Sequence, residues 1–224
     1  MVATRVVFAV ASALAAGLVT GLASARADEV TLDVHEWKII ERESGDVNYY
    51  RVIDLPDLPY IHSAYQPGMD TAVMGHAVPE GVKGLQKLRW TWRAMALPRE
   101  GNECQTGHGD SAGSVYVLWK RGIKYYVLKY VWSTTAPKGS VCDKKRSPFL
   151  AQDVIIAQSG MPVGVWKTEE VDLNAEFRKH FADGDATATV PELQGLGLMS
   201  DGDQTNSESS ADFGRFILVV KGTK

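Results

Sequence analysis

The chain has 224 residues, of which 45% are hydrophobic and 23% charged, a composition typical of a globular domain with a sizeable core. These values exclude a collagen-like chain and a disordered tail. Its 24 lysines and arginines against 27 aspartates and glutamates give a net charge of −3. Because no general basic field is present to neutralise phosphates, we expect no nucleic-acid partner.

Residues 1–27 have the features of a secretory signal peptide. Arg5 provides the positive start, an apolar stretch runs from Val6 to Leu22, and small residues ending at Ala27 form a cleavage pattern. An uncleaved membrane anchor is the alternative, but the apolar run is short and diluted by glycine and polar residues. We expect a mature domain of residues 28–224, periplasmic or secreted, with no integral membrane segment and a net charge of −5.

From residue 30 onward, alternating apolar and polar residues, interrupted by Gly, Pro, Asn and Asp, are typical of strands. The predicted strands outside the central hairpin are Val30–Val34, Tyr49–Ile53, Tyr60–Tyr65, Met69–Val78, Leu88–Ala96, Asp153–Gln158, Gly164–Asp172, Leu196–Met199 and Arg215–Val220. One short helix is predicted over Asn174–Phe181, with Asn174 as its N-cap. The pattern predicts an all-β, two-sheet antiparallel sandwich of jelly-roll type.

A hairpin at the centre of the chain is the clearest predicted element. Ser114–Lys120 and Ile123–Trp132 are joined by Arg121–Gly122, so that Val117 would face Tyr126. Both faces of this hairpin are apolar. One face should therefore lie in the sandwich core, and the other under a loop or in a binding surface.

Cys104 and Cys142 are the only two cysteines. Because an exported protein meets an oxidising compartment, we predict a disulfide between them. A redox or metal-binding thiol pair is the alternative, but the chain has neither a C-x-x-C spacing nor a third soft ligand.

The most polar segment lies between two predicted strands near the end of the chain. Asp201, Asp203, Thr205 and Glu208 offer hard oxygen ligands at short spacing, which makes Ca²⁺ the one cofactor considered. A solvated loop is the alternative, and the same groups could form hydrogen bonds to sugar hydroxyls. No other metal or cofactor is expected.

Gly109–Gly113 matches the G-x-S-x-G pattern around Ser111. A hydrolase nucleophile of this type follows a strand and precedes a helix, whereas here a Gly-rich loop precedes and a strand follows. We therefore interpret the segment as a loop-to-strand connection, and catalytic residues remain unassigned.

Four segments resemble domain-of-unknown-function family 3047, a family of exported bacterial proteins without an assigned activity. The segments are Trp90–Arg93, Gly109–Ala112, Tyr130–Ser133 and Gly197–Thr205. This resemblance implies one secreted domain and indicates Trp92, Asp110, Trp132, Asp201, Asp203 and Thr205. Gly214–Arg215 departs from the family pattern, which has an acidic residue before the last strand. More distantly, Val165–Leu173 is similar to the second half of carbohydrate-binding jelly-roll modules.

These observations together predict a surface that binds a small-molecule ligand, most simply a glycan. An exposed Trp132 would stack on a sugar ring while carboxylates and an arginine bind its hydroxyls. The predicted ligand-binding residues are Arg93, Asp110, Trp132, Asp201, Asp203 and Thr205. Two alternatives remain open: a glycan-active hydrolase using an aspartate pair, and an envelope protein with a structural or protein-binding role.

Overall fold

The computed structural model describes residues 28–42, 48–82 and 84–221, so the predicted signal segment 1–27 lies outside the described residues. Two stacked sheets form a β-sandwich of the predicted jelly-roll type, with one α-helix, α1 (Leu173–Phe181). The strands are β1 (Asp28–Leu32), β2 (Lys38–Arg42), β3 (Tyr50–Ile53), β4 (Tyr60–Tyr65), β5 (Ala72–Ala77), β6 (Leu85–Ala96), β7 (Ser111–Arg121), β8 (Lys124–Ser133), β9 (Val141–Arg146), β10 (Leu150–Ser159), β11 (Lys167–Asp172), β12 (Glu192–Asp201) and β13 (Ser209–Val220).

The six-stranded sheet has the order β11-β6-β13-β4-β3, with β1 also paired to β13. The seven-stranded sheet has the order β2-β5-β12-β7-β8-β10-β9. All pairs are antiparallel except β8 with β10. This parallel pair arises because the chain turns back through β9 before β10 enters the sheet between β9 and β8.

The core between the sheets is rich in aromatic side chains. Trp90, Trp92, Trp119 and Trp132 are all fully buried. Trp92 of one sheet meets Trp132 of the other with ring centroids 5.6 Å apart. Alternation along each strand brings these rings together, since every second residue points inward.

The predicted faces of the central hairpin are confirmed, although its register differs by two residues. The turn lies at Gly122–Ile123, and Val117 pairs with Leu128 rather than with Tyr126. Gly122 has a φ of +59°, a left-handed conformation that favours glycine and sets this turn. Because a shift of two residues keeps every side chain on its face, the error in register left the predicted core unchanged.

Three local predictions need correction. Strands β2 and β9 were not predicted, and the first strand ends before a 3₁₀ turn over Val34–Glu36. The helix is capped by Asp172 rather than Asn174, since the Asp172 carboxylate accepts hydrogen bonds from the Asn174 and Ala175 amides at 2.9 and 2.8 Å. A carboxylate there is also favoured by the helix dipole.

The predicted disulfide is confirmed. Cys104, in the loop after β6, is bonded to Cys142 of β9, 38 residues later. The bond therefore ties a long loop to the edge of the seven-stranded sheet. Among the described residues, no helix has the length and apolar character needed to cross a membrane.

Candidate functional site

A groove of about 940 Å³ crosses the outer face of the seven-stranded sheet. Tyr116 and Leu118 of β7, Val127 and Lys129 of β8, and Gln152 of β10 line it. Their neighbours in sequence point into the core, so alternation along the strands directs these side chains outward. This part of the outer face of the hairpin is therefore open, while Val131 lies under the following loop, in a small buried cluster with Ala136.

The loop that carries Cys104 forms one wall of the groove. Glu103, Gln105, Thr106 and Gly107 line the groove from this loop. The disulfide holds the wall against β9, so a covalent bond helps to define the shape of the groove.

A buried ion pair lies on the groove floor. Lys129 Nζ is 2.9 Å from Glu103 Oε1, and both side chains are at most 10% exposed. Burial by itself would lower the pKa of Lys129, but the Glu103 carboxylate outweighs it and raises that pKa. Burial raises the pKa of the adjacent Tyr116 to about 12, so its hydroxyl stays protonated. Sequence reasoning missed Glu103, whereas Lys129 had a visible signal as a charge within an apolar strand face.

Asp110 anchors the polar loop at one end of the groove. Its fully buried carboxylate accepts hydrogen bonds from the backbone N–H of Thr205 at 2.7 Å, the Thr205 hydroxyl at 2.5 Å and the backbone N–H of Gln204 at 3.3 Å. Gly202 makes the return of this loop possible, because a Cβ at that position would lie 2.0 Å from the Ser207 carbonyl oxygen. Asp110 therefore positions the loop.

Asp201, Asp203 and Asp110 form a cluster in which one ligand oxygen from each lies within 4.8 Å of the others. Burial is the main cause that raises the pKa of Asp201 to about 7; Lys129 opposes it, while Asp203 and Asp110 reinforce it. Asp201 lines the groove, whereas Asp203 is exposed. The three carboxylates are close enough together for one oxygen of each to contact a cation such as Ca²⁺. Of the predicted set, Asp201 and Asp203 belong to this cluster, Glu208 does not, and the Thr205 hydroxyl donates to Asp110.

Replacing Asp201 with Asn is expected to flatten the pH dependence of stability. Asp201 keeps its proton up to about pH 7 in the folded chain but loses it near 4 when unfolded. The unfolded state then binds fewer protons across this window, so wild-type stability falls as pH rises through it. We expect the variant to be more stable than the wild type above about pH 7 and close to it near about pH 4, measured by urea unfolding. If the free energies of unfolding of the two proteins changed with pH in parallel, a raised pKa at Asp201 would be contradicted.

The predicted stacking role of Trp132 is wrong. Its side chain is 2% exposed, and its indole Nε1 donates a hydrogen bond to the Gly160 carbonyl at 3.0 Å. Trp132 shares the inward face of β8 with Leu128 and Tyr130, so the ring belongs to the core. No ligand on the surface can reach either face of it.

Arg93 lies on the opposite side of the sandwich, on the outer face of the six-stranded sheet. Its Nε donates to Asp212 Oδ2 at 2.7 Å, and its guanidinium lies 4.6 Å from the Trp166 ring centre. His62 Nδ1 is 2.6 Å from the same buried carboxylate. The structure thus brings together four predicted site residues, Asp110, Asp201, Asp203 and Thr205, and separates Arg93 and Trp132 from them.

The motif around Ser111 holds no exposed nucleophile. Ser111 is fully buried, and its hydroxyl is 2.8 Å from that of Ser114. This placement agrees with its interpretation as a loop-to-strand connection.

A family model described as "Protein of unknown function (DUF3047)" matches residues 35–217. The chain belongs to this family. The DUF3047 match spans both sheets and includes the whole aspartate cluster. No curated protein is significantly similar to this chain in sequence.

Several solved structures share a similar arrangement of strands with this DUF3047 chain. A family 11 carbohydrate-binding module from Clostridium thermocellum, solved with a β-1,3-1,4-mixed-linked tetrasaccharide, has a TM-score of 0.48 at 12% identity, covering 90% of this chain and 100% of that one. The Trichoderma harzianum endoglucanase 3 of family GH12 has a TM-score of 0.43 at 10% identity, covering 88% and 99%. Likenesses at this level assign neither a ligand nor an activity to this chain.

Proposed function

We propose that the groove on the seven-stranded sheet binds a polar ligand, a glycan. The observation that supports this proposal is an open groove of about 940 Å³ on a hydrogen-bonded sheet, lined by both polar and apolar side chains. Such a volume is in the range of small-molecule sites. The strands below it are anchored in the core, so the groove exists before a ligand arrives.

The chemistry of the lining suits a sugar. Gln152 and Gln204 provide amide donors and acceptors, and Asp201 provides a carboxyl group at the same surface. Leu118 and Val127 provide apolar area for the C–H faces of the rings. A glycan presents both kinds of surface, so its hydroxyls would meet the amides and the carboxyl group while its ring faces cover the aliphatic side chains.

Export belongs to the same proposal. A disulfide persists in oxidising compartments such as the periplasm or the external medium, where glycans are abundant polymers. We propose that residues 28–224 form the mature domain in that location.

The test is a binding measurement on the exported protein with its disulfide intact. Soluble β-glucan, xylan, galactan and polyuronate are titrated with and without Ca²⁺, and thermal shift and calorimetry are recorded. We expect saturable binding of one class, weakened about five- to tenfold by Gln152→Ala because one groove amide is lost. Gln66→Ala, an exposed amide outside the groove lining, is the matched control.

Two results would overturn the glycan proposal. One is the absence of any saturable shift with all four polymers, which would favour a structural or protein-binding role in the envelope. The other is binding that Gln152→Ala and Gln66→Ala weaken equally, because the groove would then not be the site.

A hydrolase is the second candidate, supported by the aspartate cluster. Asp201 has a pKa near that of a general acid working at neutral pH, and another carboxylate oxygen lies within 4.8 Å of its own. Retaining glycosidases place their two carboxyl groups about 5 Å apart. Because Asp110 is fully buried and bonded, Asp203 would be the partner. Release of reducing ends during the same titrations, abolished by Asp201→Asn, distinguishes cleavage from binding alone.

A further inference from the structure

Two turns of the seven-stranded sheet lie side by side at one end of the sandwich. The Tyr125 amide donates to the Phe149 carbonyl at 2.8 Å, and Leu150 pairs with Tyr125 in the β8–β10 ladder. The β7–β8 turn and the β9–β10 turn therefore form one continuous surface. We define the tip as residues 120–125 together with residues 144–150.

The tip exposes large apolar side chains next to one another. Ile123 is 72% exposed, Phe149 62% and Tyr125 40%. Ile123 lies in the β7–β8 turn two residues before Tyr125, and the Tyr125 backbone is hydrogen-bonded to Phe149. Single exposed apolar residues are common on proteins, but a group of three on adjoining turns marks an interaction surface.

The same surface is strongly basic in a chain that is acidic overall. The basic residues of the tip are Lys120, Arg121, Lys124, Lys144, Lys145 and Arg146. Arg146 is paired with Asp153, and Glu192 of β12 lies opposite Lys120. The positive charge still exceeds the negative charge among these residues.

The lysines and the aromatic rings are arranged together. Lys120 Nζ lies 4.9 Å from the centre of the Tyr125 ring, and Lys124 Nζ lies 5.4 Å from that of Tyr126. Tyr125 is the exposed ring of the two, since Tyr126 is half-buried against Phe177. An ammonium group beside an exposed ring matches the boundary between lipid headgroups and acyl chains, where charge and apolar surface are both satisfied.

We propose that the tip docks on a membrane surface that carries anionic lipid headgroups. Lysines 120, 124 and 144 lie at the headgroup phosphates, while Ile123 and Phe149 enter the boundary with the acyl chains. A soluble polyanion would be attracted by the same lysines but would leave three apolar side chains in water. Docking in this way requires no ligand in the groove.

Co-sedimentation of the exported protein with vesicles tests the docking. One set of vesicles contains equal parts phosphatidylglycerol and phosphatidylcholine, and the other contains phosphatidylcholine alone. We expect binding to the first set, weak binding to the second, and a loss of binding as salt screens the charges.

Two double variants separate the apolar and the electrostatic contributions. Ile123→Ser with Phe149→Ser, and Lys120→Gln with Lys144→Gln, are each expected to lower vesicle partitioning about tenfold or more. All four side chains are exposed, so thermal stability is expected to stay at the wild-type value. The matched controls are Leu55→Ser, 49% exposed beyond the tip, and Lys138→Gln, on another loop.

Absence of binding to the anionic vesicles would overturn the proposal. So would equal binding by the double variants, the controls and the wild type. A third result would assign the tip to a soluble polyanion and also overturn membrane docking. In that case only the lysine variant would lose vesicle binding, and dextran sulfate would fully displace the wild-type protein from the vesicles. Lys145 and Leu150 of the tip also line the groove, but none of the four substituted side chains does, so the vesicle experiment and the glycan titration can succeed or fail independently.

Discussion

Trp132→Ala is expected to lower the free energy of unfolding by about 3 to 5 kcal/mol, the range for a large buried aromatic side chain. The ring is 2% exposed and meets Trp92 edge to face across the core. Its removal leaves a cavity between the two sheets. It also leaves the Gly160 carbonyl without the indole N–H that donates to it in the wild type. Urea unfolding followed by circular dichroism measures the change.

Trp166→Ala is the matched control for this prediction. Trp166 is half-buried on the outer face of the six-stranded sheet, where its ring packs against Arg93 and Tyr60. Its loss leaves no cavity in the sandwich core, so a cost of about 1 kcal/mol is expected. A Trp132→Ala protein as stable as the wild type would contradict the buried placement and restore a surface role for this residue.

Removing the disulfide by Cys104→Ser with Cys142→Ser is expected to lower the free energy of unfolding by about 4 kcal/mol. The bond closes a segment between residues 38 apart, which restricts the unfolded chain. In the folded chain it also holds Glu103 and Gln105 at the wall of the groove. We therefore expect glycan affinity to fall as well, because ordering of this wall must then accompany binding.

Denaturation of the oxidised wild type, the reduced wild type and the double variant measures this effect. The reduced wild type is the control, since its sequence is intact and its stability should fall to nearly that of the variant. Equal stability of all three proteins would show that the bond contributes nothing to the fold. Unchanged glycan affinity in the double variant would contradict the role of the bond in the groove wall.

Much of the fold was predictable because strand patterns are local. The alternation from Leu88 to Ala96 identifies a strand and its two faces without knowledge of any partner. The inner and outer faces of the central hairpin follow in the same way, and they survived an error of two residues in register. Strands β2 and β9 were missed because a charged edge strand such as Val141–Arg146 has little apolar alternation to detect.

The candidate site was predictable only in part. Asp110, Asp201, Asp203 and Thr205 were indicated by resemblance and do meet in space. Trp132 and Arg93 were assigned to the same surface, yet one is in the core and the other on the opposite sheet. Alternation divides side chains between two faces, but it does not tell which face another sheet will cover.

The sequence by itself determined the all-β class, the disulfide partners and the polar loop after Met199. Each of these depends on neighbouring residues or, for the disulfide, on the presence of two cysteines alone. The tertiary structure decided that Glu103 pairs with Lys129 and that Asp110 holds Thr205, 95 residues away. Such contacts depend on the order in which strands pair within a sheet and on how the two sheets stack, and both are set by long-range packing of the core.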